Sequence, residues 1–353
     1  MLKVDEFVME AGEQGASDIH IVAGHPVSYR IHGTIVSRDE TILTKEETTC
    51  LIKEYTTEQQ YHIFQETGEL DFSKTSQNGL RLRLNIFMEQ DSPAMALRIL
   101  ASRIPSPKEL GLPKVVTNLI HLRRGLVLVT GATGSGKSTT LAALIHEISK
   151  IFHKNIITLE DPIEYVHTRE ASVVSQREIG RDTRSYANAL RAALRQDPDV
   201  ILVGEMRDLE TIAAAVTAAE TGHLVFSTLH TNNAAAAIDR IIDVFPPHQQ
   251  GQIRTQLADV LEGVIAQQLL PTKDGKGRVA AFEILLGNPA VRNLIREGKT
   301  YQLSTVIQTE KKSGMQTMDD SLYELYSKDM VSSDTILEYA VDPTAMKKRT
   351  ISF

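Results

Sequence analysis

Residues 126–138 have the sequence LVLVTGATGSGKS, in which a short apolar run leads into a glycine-rich segment. Residues 131–138 match the pattern G-x-x-x-x-G-K-[ST], whose backbone amides cradle the phosphates of a nucleotide. The preceding run is apolar on both faces, as in a buried parallel strand, and residues 138–150 are typical of a helix. Because the pattern requires a strand before it and a helix after it, we predict a phosphate loop in an α/β domain.

The phosphate loop supplies most of the predicted nucleotide site. Its amides face the anion at a helix N-terminus. Lys137 is expected to neutralise the β- and γ-phosphates, and Ser138 to hold Mg²⁺. The predicted nucleotide-binding residues are Thr133, Gly134, Ser135, Gly136, Lys137, Ser138 and Thr139. The alternative is a glycine-rich strand-to-helix turn with an exposed lysine.

Two acidic groups follow other apolar runs. The run VILV at 200–203 ends at Gly204-Glu205, and ligands bind at the carboxyl ends of strands in an open α/β sheet. Glu205 can therefore reach the shell of Mg²⁺, and it does this work alone because Gly204 stands where an aspartate is usual. The second group is EDPIE at 160–164, where a spare carboxylate can orient or deprotonate the attacking water. A solvated acidic turn is the alternative there.

His230 and several arginines are further candidates. His230 follows the apolar run at 223–226 and is placed to contact the γ-phosphate; a solvated loop histidine is the alternative. Arg191 and Arg195 are four residues apart, which predicts one face of a helix. On predicted strands of the first hundred residues lie Arg81, Arg83 and Arg98. Such arginines suggest phosphate clamps, acting within a chain or across a subunit boundary, and surface ion pairs are the alternative.

The rest of the chain predicts two domains. Residues 1–103 contain alternating runs such as Val27 to Ile31 and an uninterrupted segment, 45–66, that predicts one helix in an α+β unit. Residues 104–114, IPSPKELGLPK, predict a linker or hinge, because proline removes amide donors and restricts the residue before it. We expect the α/β domain over residues 115–288 and a helical region over residues 289–353.

Composition excludes several classes of protein. The 353 residues are 42% hydrophobic and 24% charged, which is ordinary for a globular protein. A net charge of −7 disfavours the coating of nucleic acid. Cys50 is the single cysteine, so neither an intrachain disulfide nor a four-cysteine zinc module can form. An acidic start without an apolar signal segment, and the absence of a long apolar run, predict a cytoplasmic protein.

Four stretches together resemble the secretion ATPase superfamily, and more closely the type IV pilus retraction (twitching-motility) ATPases. They are GATGSGKSTT (131–140), TLEDPIEYVH (158–167), RQDPDVILVGEMRD (195–208) and TGHLVFSTLHT (221–231). A fifth, AVRNLIREGK at 290–299, resembles a C-terminal motif of the retraction members, with Val291 in place of isoleucine. The resemblance covers essentially the whole chain.

The resemblance implies a fold and a set of roles. The fold is a PAS-like first domain, a flexible linker and a RecA-like P-loop domain with a helical tail, assembled as a homohexamer. Glu164 would be the catalytic glutamate, Glu205 the Walker B residue and His230 the residue of the His box. The arginines that match family arginines at the nucleotide interface are Arg83, Arg98, Arg191 and Arg195.

The resemblance also implies a function. The chain would be an ATP-dependent, Mg²⁺-dependent motor at the cytoplasmic face of the inner membrane, where it works on a platform protein and returns pilin to the membrane. A paralogous retraction ATPase is a further expected partner, and an accessory retraction ATPase is the alternative to a primary one. The alternatives are an assembly or secretion ATPase, a nucleic-acid translocase and a ring that binds nucleotide without hydrolysis.

Overall fold

The computed structural model describes residues 3–100 and 103–351. Contacts between residues divide the chain into two compact units. Unit 1 contains Met1–Arg103 together with Pro162–Val166, and unit 2 contains Ile104–Asp161 and His167–Phe353. The segment that carries Glu164 therefore belongs to unit 1, although it lies within the part of the sequence that predicts the nucleotide-binding domain.

Unit 1 is an antiparallel sheet with three helices, and its strand order is β3-β2-β1-β6-β5-β4. The strands are β1 (Asp18–Ile21), β2 (Pro26–Ile31), β3 (Thr34–Ile42), β4 (Glu69–Thr75), β5 (Arg81–Glu89) and β6 (Ser92–Ile99). The helices are α1 (Val4–Glu13), α2 (Lys45–Tyr55) and α3 (Glu58–Thr67). Alternate residues of β5, namely Leu82, Leu84 and Ile86, are buried in the core of this unit, as the alternating pattern predicts.

The prediction of one helix over residues 45–66 is wrong. Helix α2 ends at Tyr55, and Thr57 starts α3 with a capping box: its side chain accepts from the amide of Gln60, whose side chain accepts from the amide of Thr57. A capping box supplies hydrogen-bond acceptors to the backbone amides that lack a partner at the start of a helix, and a continuous helix has no such amides in its interior. The break therefore has a local signal, the pattern T-x-x-Q. The prediction of one helix relied on the absence of Pro and Gly and did not take this pattern into account.

Unit 2 is built on a seven-stranded sheet in the order β13-β12-β7-β11-β10-β8-β9. Its strands are β7 (Gly125–Thr130), β8 (Asn155–Glu160), β9 (Val173–Glu178), β10 (Val200–Val203), β11 (Leu224–Leu229), β12 (Leu261–Pro271) and β13 (Arg278–Leu286). All neighbours from β12 to β9 pair in parallel, and β13 is antiparallel to β12. Strands β7, β10 and β11 are buried along their whole length, as their continuous apolar runs predict.

Helices cover both faces of this sheet. They are α4 (Lys114–Asn118), α5 (Lys137–Ile151), α6 (Tyr186–Ala193), α7 (Leu209–Glu220), α8 (Ala234–Asp243) and α9 (Pro247–Val260). Val127 and Val129 of β7 pack in one core with α5, and Leu126 and Leu128 pack in a second core with α6 to α9. The predicted α/β class of the nucleotide-binding domain is therefore confirmed.

The chain after residue 288 is helical, as predicted. Its helices are α10 (Pro289–Arg296), α11 (Leu303–Thr309), α12 (Met318–Ser327), α13 (Ser333–Tyr339) and α14 (Pro343–Ile351). Helices α12 to α14 form a further apolar core with Leu270 of β12 and Ala281 of β13. Within the described residues, none of the helices is both long enough and apolar enough to span a membrane.

Candidate functional site

The parallel pairing brings four functional segments to one edge of the sheet. The carboxyl ends of β7, β8, β10 and β11 lie on the same edge because these strands run in the same direction. The phosphate loop follows β7, Glu160 ends β8, Glu205 follows β10 and His230 follows β11. Sequence patterns that are far apart in the chain thus share one edge of unit 2.

The phosphate loop lies close to β12. Gly131 has a φ of 150°, and a Cβ atom at this position would overlap the carbonyl oxygen of Gln267. Only glycine therefore allows the chain to leave β7 in this direction. Lys137, the first residue of α5, is buried, and its Nζ donates to the carbonyl oxygens of Gly131 and Ala132, each at 2.9 Å. The loop thus holds the ammonium group that the sequence assigns to the phosphates.

A cavity of about 370 Å³ opens beside the loop. Its lining combines Gly131 to Ser135, Asn232, the β12 residues Gln267 to Leu269, and Glu338 and Tyr339 of α13. Ser135 Oγ and Gln268 Oε1 are buried without a hydrogen-bond partner within the described residues. A buried polar atom without a partner costs about 1–3 kcal/mol, so a polar ligand would be stabilised here. The sequence did not indicate that β12 and α13 contribute to this cavity.

Glu205 and His230, both predicted for the site, are in contact. Glu205 Oε1 lies 3.2 Å from Nε2 of His230 and 2.6 Å from Nε of Arg207. The ion pair with Glu205 raises the pKa of Arg207. Arg207 was not among the predicted site residues, although it lies in the GEMRD segment that carried the resemblance.

The residues that the sequence assigns to Mg²⁺ fit that ion. The carboxylate of Glu205 follows β10 directly, at the edge of the sheet that carries the phosphate loop. Ser138 is exposed at the start of α5. A carboxylate and a hydroxyl are oxygen ligands of the kind that Mg²⁺ accepts together with phosphate oxygens. Within the described residues no three His, Cys, Asp or Glu side chains gather to hold a metal by themselves.

The phenol of Tyr186 lies against the main chain at Gly204, which precedes Glu205. A Cβ atom at Gly204 would lie 2.9 Å from the phenol oxygen of Tyr186 and 3.0 Å from the carbonyl oxygen of Leu159. Burial, and then the nearby carboxylates of Asp161 and Glu205, raise the pKa of Tyr186. The phenol thus occupies the space of a side chain at position 204. Sequence reasoning missed Tyr186 because nothing local marks its contact with Gly204.

Glu164 lies in unit 1 and is partly exposed. The neighbouring residue Ile163 accepts a hydrogen bond at its carbonyl oxygen from Nε of Arg81, at 3.2 Å. Arg81 is buried and also donates to Ser73 and Thr75 of β4. Arg81 is therefore not an exposed phosphate clamp: it anchors the segment of Glu164 to β5.

The four predicted interface arginines all have partners. Arg83 pairs with Asp71 at 2.6 Å, Arg98 with Asp18 at 2.9 Å, and Arg191 with Glu210 at 3.0 Å, while Arg195 donates to the carbonyl oxygen of Arg191 at 3.2 Å. Helix α6 ends at Ala193, so the prediction that Arg191 and Arg195 share a helical face is wrong. The ion pairs of Arg83 and Arg191 are exposed at both ends and contribute about 0–1 kcal/mol each, so these two pairs can be exchanged for a ligand at little cost.

Comparisons with known proteins agree with this architecture. A family model described as Type II/IV secretion system protein matches residues 2–332. The type IV pilus retraction ATPase PilT of Pseudomonas aeruginosa is 45% identical over 342 residues, which are 97% of this chain and 99% of that protein. A twitching motility protein of Neisseria gonorrhoeae is 48% identical over 317 residues, 90% of this chain and 85% of the relative.

A solved structure agrees equally well. The crystal structure of the pilus retraction motor PilT with bound ADP is 49% identical, covers 99% of this chain and 100% of its own, and superposes with a TM-score of 0.92. This match confirms the predicted fold class. The resemblance noted in the sequence is confirmed as well, and the chain belongs to the type II/IV secretion system protein family and, within it, to the type IV pilus retraction ATPases.

Proposed function

We propose that this protein is an ATP-hydrolysing motor that drives the retraction of type IV pili. The proposal is carried by one edge of the sheet in unit 2, at which the phosphate loop lies together with Glu205 and its contact His230. The chain that carries this edge matches named retraction ATPases over nearly its whole length. The phosphates bind on Thr133 to Thr139, and Lys137 exchanges its two carbonyl partners for phosphate oxygens.

The remaining groups have separate tasks. Ser138 and Glu205 hold Mg²⁺, which supplies neutralising charge to the phosphates. Glu164 orients and deprotonates the attacking water. His230, through its contact with Glu205, transmits the loss of the γ-phosphate. The interface arginines Arg83, Arg98, Arg191 and Arg195 complete the sites of a ring, and those of unit 1 act on the neighbouring subunit.

The proposed assembly is a homohexamer at the cytoplasmic face of the inner membrane. Its partners would be the membrane platform protein of the pilus and a paralogous retraction ATPase, as the sequence resemblance implies. Retraction would follow when ATP turnover rotates one unit against the other through residues 104–114. The acidic charge of the chain argues against nucleic acid as the moved substrate.

The test of this function compares the purified wild-type protein with the Glu164→Gln variant, measuring ATP hydrolysis and mass by light scattering in the same samples. We expect a six-fold mass for both and a loss of turnover of at least about 10²-fold in the variant, the scale of a positioned base. Glu170→Gln, an exposed acid in the same loop, serves as the matched control and should keep its turnover. Equal turnover in all three proteins would remove Glu164 from the mechanism.

A cellular experiment separates retraction from its alternatives. A strain without the gene should keep pili that no longer retract, whereas an assembly ATPase would leave the strain without pili. ATP hydrolysis that rises with added DNA, in a salt-dependent way, would instead favour a translocase.

A further inference from the structure

Gln267 is a polar residue on the face of β12 that packs against α5. It is 3% exposed and points to the same side of the sheet as Ile265, because alternate residues of a strand share a face. Ile265 belongs to the apolar core that β7 forms with α5. Burial of an amide costs free energy unless its polar atoms find partners, and Gln267 finds them beside the phosphate loop.

The side chain of Gln267 contacts the end of the phosphate loop. Its Oε1 accepts a hydrogen bond from Oγ1 of Thr140 at 2.8 Å, and both residues are buried. Thr140 lies in the first turn of α5, three residues after Lys137. A Cβ atom at Gly136 would lie 2.8 Å from Nε2 of the same amide. The amide therefore borders the loop at the point where it enters the helix.

The main chain of Gln267 lies against the beginning of the loop. Strand β12 pairs in parallel with β7 up to Thr130, the residue before Gly131. A Cβ atom at Gly131 would overlap the carbonyl oxygen of Gln267. One residue of β12 thus borders both ends of the loop, with its main chain at Gly131 and its side chain at Gly136 and Thr140.

We propose that Gln267 is a positioning residue of the phosphate loop, which holds the two ends of the loop in place and keeps its amides arranged for phosphate before a nucleotide binds. A loop that is already ordered loses less conformational entropy on binding, so more of the interaction energy appears as affinity. Gln267 acts through the loop and does not itself touch the reacting atoms. This inference rests on the proposed binding and hydrolysis of ATP.

The Gln267→Met variant tests the amide, because methionine has a similar length and shape. The first measurement is hydrogen exchange of the nucleotide-free protein, read by mass spectrometry on peptides that cover residues 131–140. We expect faster exchange there than in the wild type. Ser321→Ala removes a buried hydrogen bond between α12 and β13 and is the matched control, in which these peptides should exchange normally. Equal exchange in Gln267→Met and the wild type would overturn the proposal.

The second measurement is the affinity for a fluorescent, non-hydrolysable ATP analogue. In Gln267→Met the dissociation constant should rise by about 3- to 10-fold, the scale of one hydrogen bond, and in Ser321→Ala it should stay at the wild-type value. The KM for ATP should rise by the same factor while kcat is retained, because the loop holds the phosphates in the bound state and in the transition state alike. A fall in kcat at constant KM would contradict the role. If the wild-type protein binds the analogue without hydrolysing ATP, the proposed function fails, whereas exchange and affinity still decide the role of Gln267.

A double-mutant cycle tests the contact with Thr140. Thr140→Val removes the donor, and its effect on affinity should shrink in the Gln267→Met background, where the acceptor is already absent, since residues in contact give non-additive effects. Thr140→Ser keeps the hydroxyl and should bind the analogue like the wild type. Strictly additive effects would show that this hydrogen bond does not position the loop. Should Gln267→Met fail to fold, exchange and affinity in Thr140→Val, compared with Thr140→Ser, decide the proposal from the other partner.

Discussion

At the scale of the residue, the ammonium group of Lys137 is the most constrained charge of the phosphate loop. It is buried and is held by the carbonyl oxygens of Gly131 and Ala132. Carbonyl oxygens are neutral acceptors, whereas phosphate oxygens carry negative charge and add Coulomb attraction to the hydrogen bond from the ammonium group. Exchange of the carbonyls for phosphate oxygens is therefore favourable, and the loop holds the lysine ready for a nucleotide.

Replacement of Lys137 should weaken the binding of the nucleotide itself. In Lys137→Ala we expect the dissociation constant of an ATP analogue to rise by about 10- to 100-fold, which corresponds to about 1.4–2.8 kcal/mol. Fluorescence titration of the analogue measures it. Lys150→Ala, at the exposed end of α5, is the control that should bind normally. Unaltered affinity in Lys137→Ala would contradict the phosphate-loop interpretation.

At the scale of the element, contacts between strands and loops set the position of the segment EDPIE. Glu160 accepts hydrogen bonds from Thr158 at 2.6 Å and from Gln176 at 3.1 Å, which fixes the end of β8. Two residues later the chain enters unit 1, where Arg81 of β5 holds the carbonyl oxygen of Ile163. The main chain directly before Glu164 is thus held by the buried side chain of Arg81 and does not belong to a helix or a strand.

Arg81 should therefore affect turnover through Glu164. In Arg81→Ala the carbonyl oxygen of Ile163 loses its donor, and loss of one partner of a buried hydrogen bond costs about 1–3 kcal/mol. We expect a lower melting temperature and a lower kcat, with the affinity for nucleotide retained. Arg30→Ala, at a partly exposed position of β2, is the comparison. If kcat stays at the wild-type level while the melting temperature falls, Arg81 has a structural role only.

A second contact between elements joins α5 to His167, three residues after the segment EDPIE. The rings of His146 and His167 are 6.0 Å apart, and Nδ1 of each is buried without a hydrogen-bond partner within the described residues. Burial, and to a lesser degree His146, lower the pKa of His167 to about 4. Between pH 6.5 and 4 the unfolded chain therefore binds a proton at this site that the folded chain does not.

This shift predicts a loss of stability on acidification. The free energy of unfolding should decrease as the pH falls from about 6.5 to about 4, by up to about 3 kcal/mol from this group, because one pKa unit corresponds to 1.36 kcal/mol. Urea unfolding followed by circular dichroism at several pH values measures it. His167→Gln should lose less stability over this range, whereas His62→Gln, at an exposed position, should behave like the wild type. Parallel curves for all three would exclude His167 as the source.

At the scale of the whole molecule, the proposed site residues are divided between the two units. Arg83, Arg98 and Glu164 belong to unit 1, whereas Lys137, Glu205 and His230 belong to unit 2. The proposed function assigns tasks to residues of both units, and in a motor such a division would allow ATP turnover and domain movement to depend on each other.

Arg83 provides a test of action between subunits. Arg83→Ala alone and Glu164→Ala alone should each hydrolyse ATP slowly. Mixed rings contain sites with an intact Glu164 and an Arg83 from the neighbouring subunit, so mixing should restore part of the activity. The activity of mixtures at several ratios, after subunit exchange, is the measurement. No recovery in well-mixed rings would place the action of Arg83 within its own subunit.

Local patterns were sufficient for the phosphate loop, for the buried strands β7, β10 and β11 and for the positions of Glu205 and His230 after two of these strands. Each depends on apolar periodicity, on glycine at a strand-to-helix turn or on the common direction of parallel strands. Short stretches of sequence are enough to predict these features. The capping box at Thr57 is an equally local signal, although the predicted helix ran through it.

Other features depended on tertiary packing. The hydrogen bond from Arg81 to Ile163, the phenol of Tyr186 at Gly204, and the contribution of α13 to the cavity beside the phosphate loop join residues that are far apart in the chain. Such contacts follow from how sheets and helices pack, and side-chain types alone do not encode them. The sequence by itself therefore predicted which side chains carry the chemistry of the site, whereas the contacts of Arg81 and Tyr186 with the main chain were decided by the tertiary structure, because packing brings together residues that are far apart in the chain.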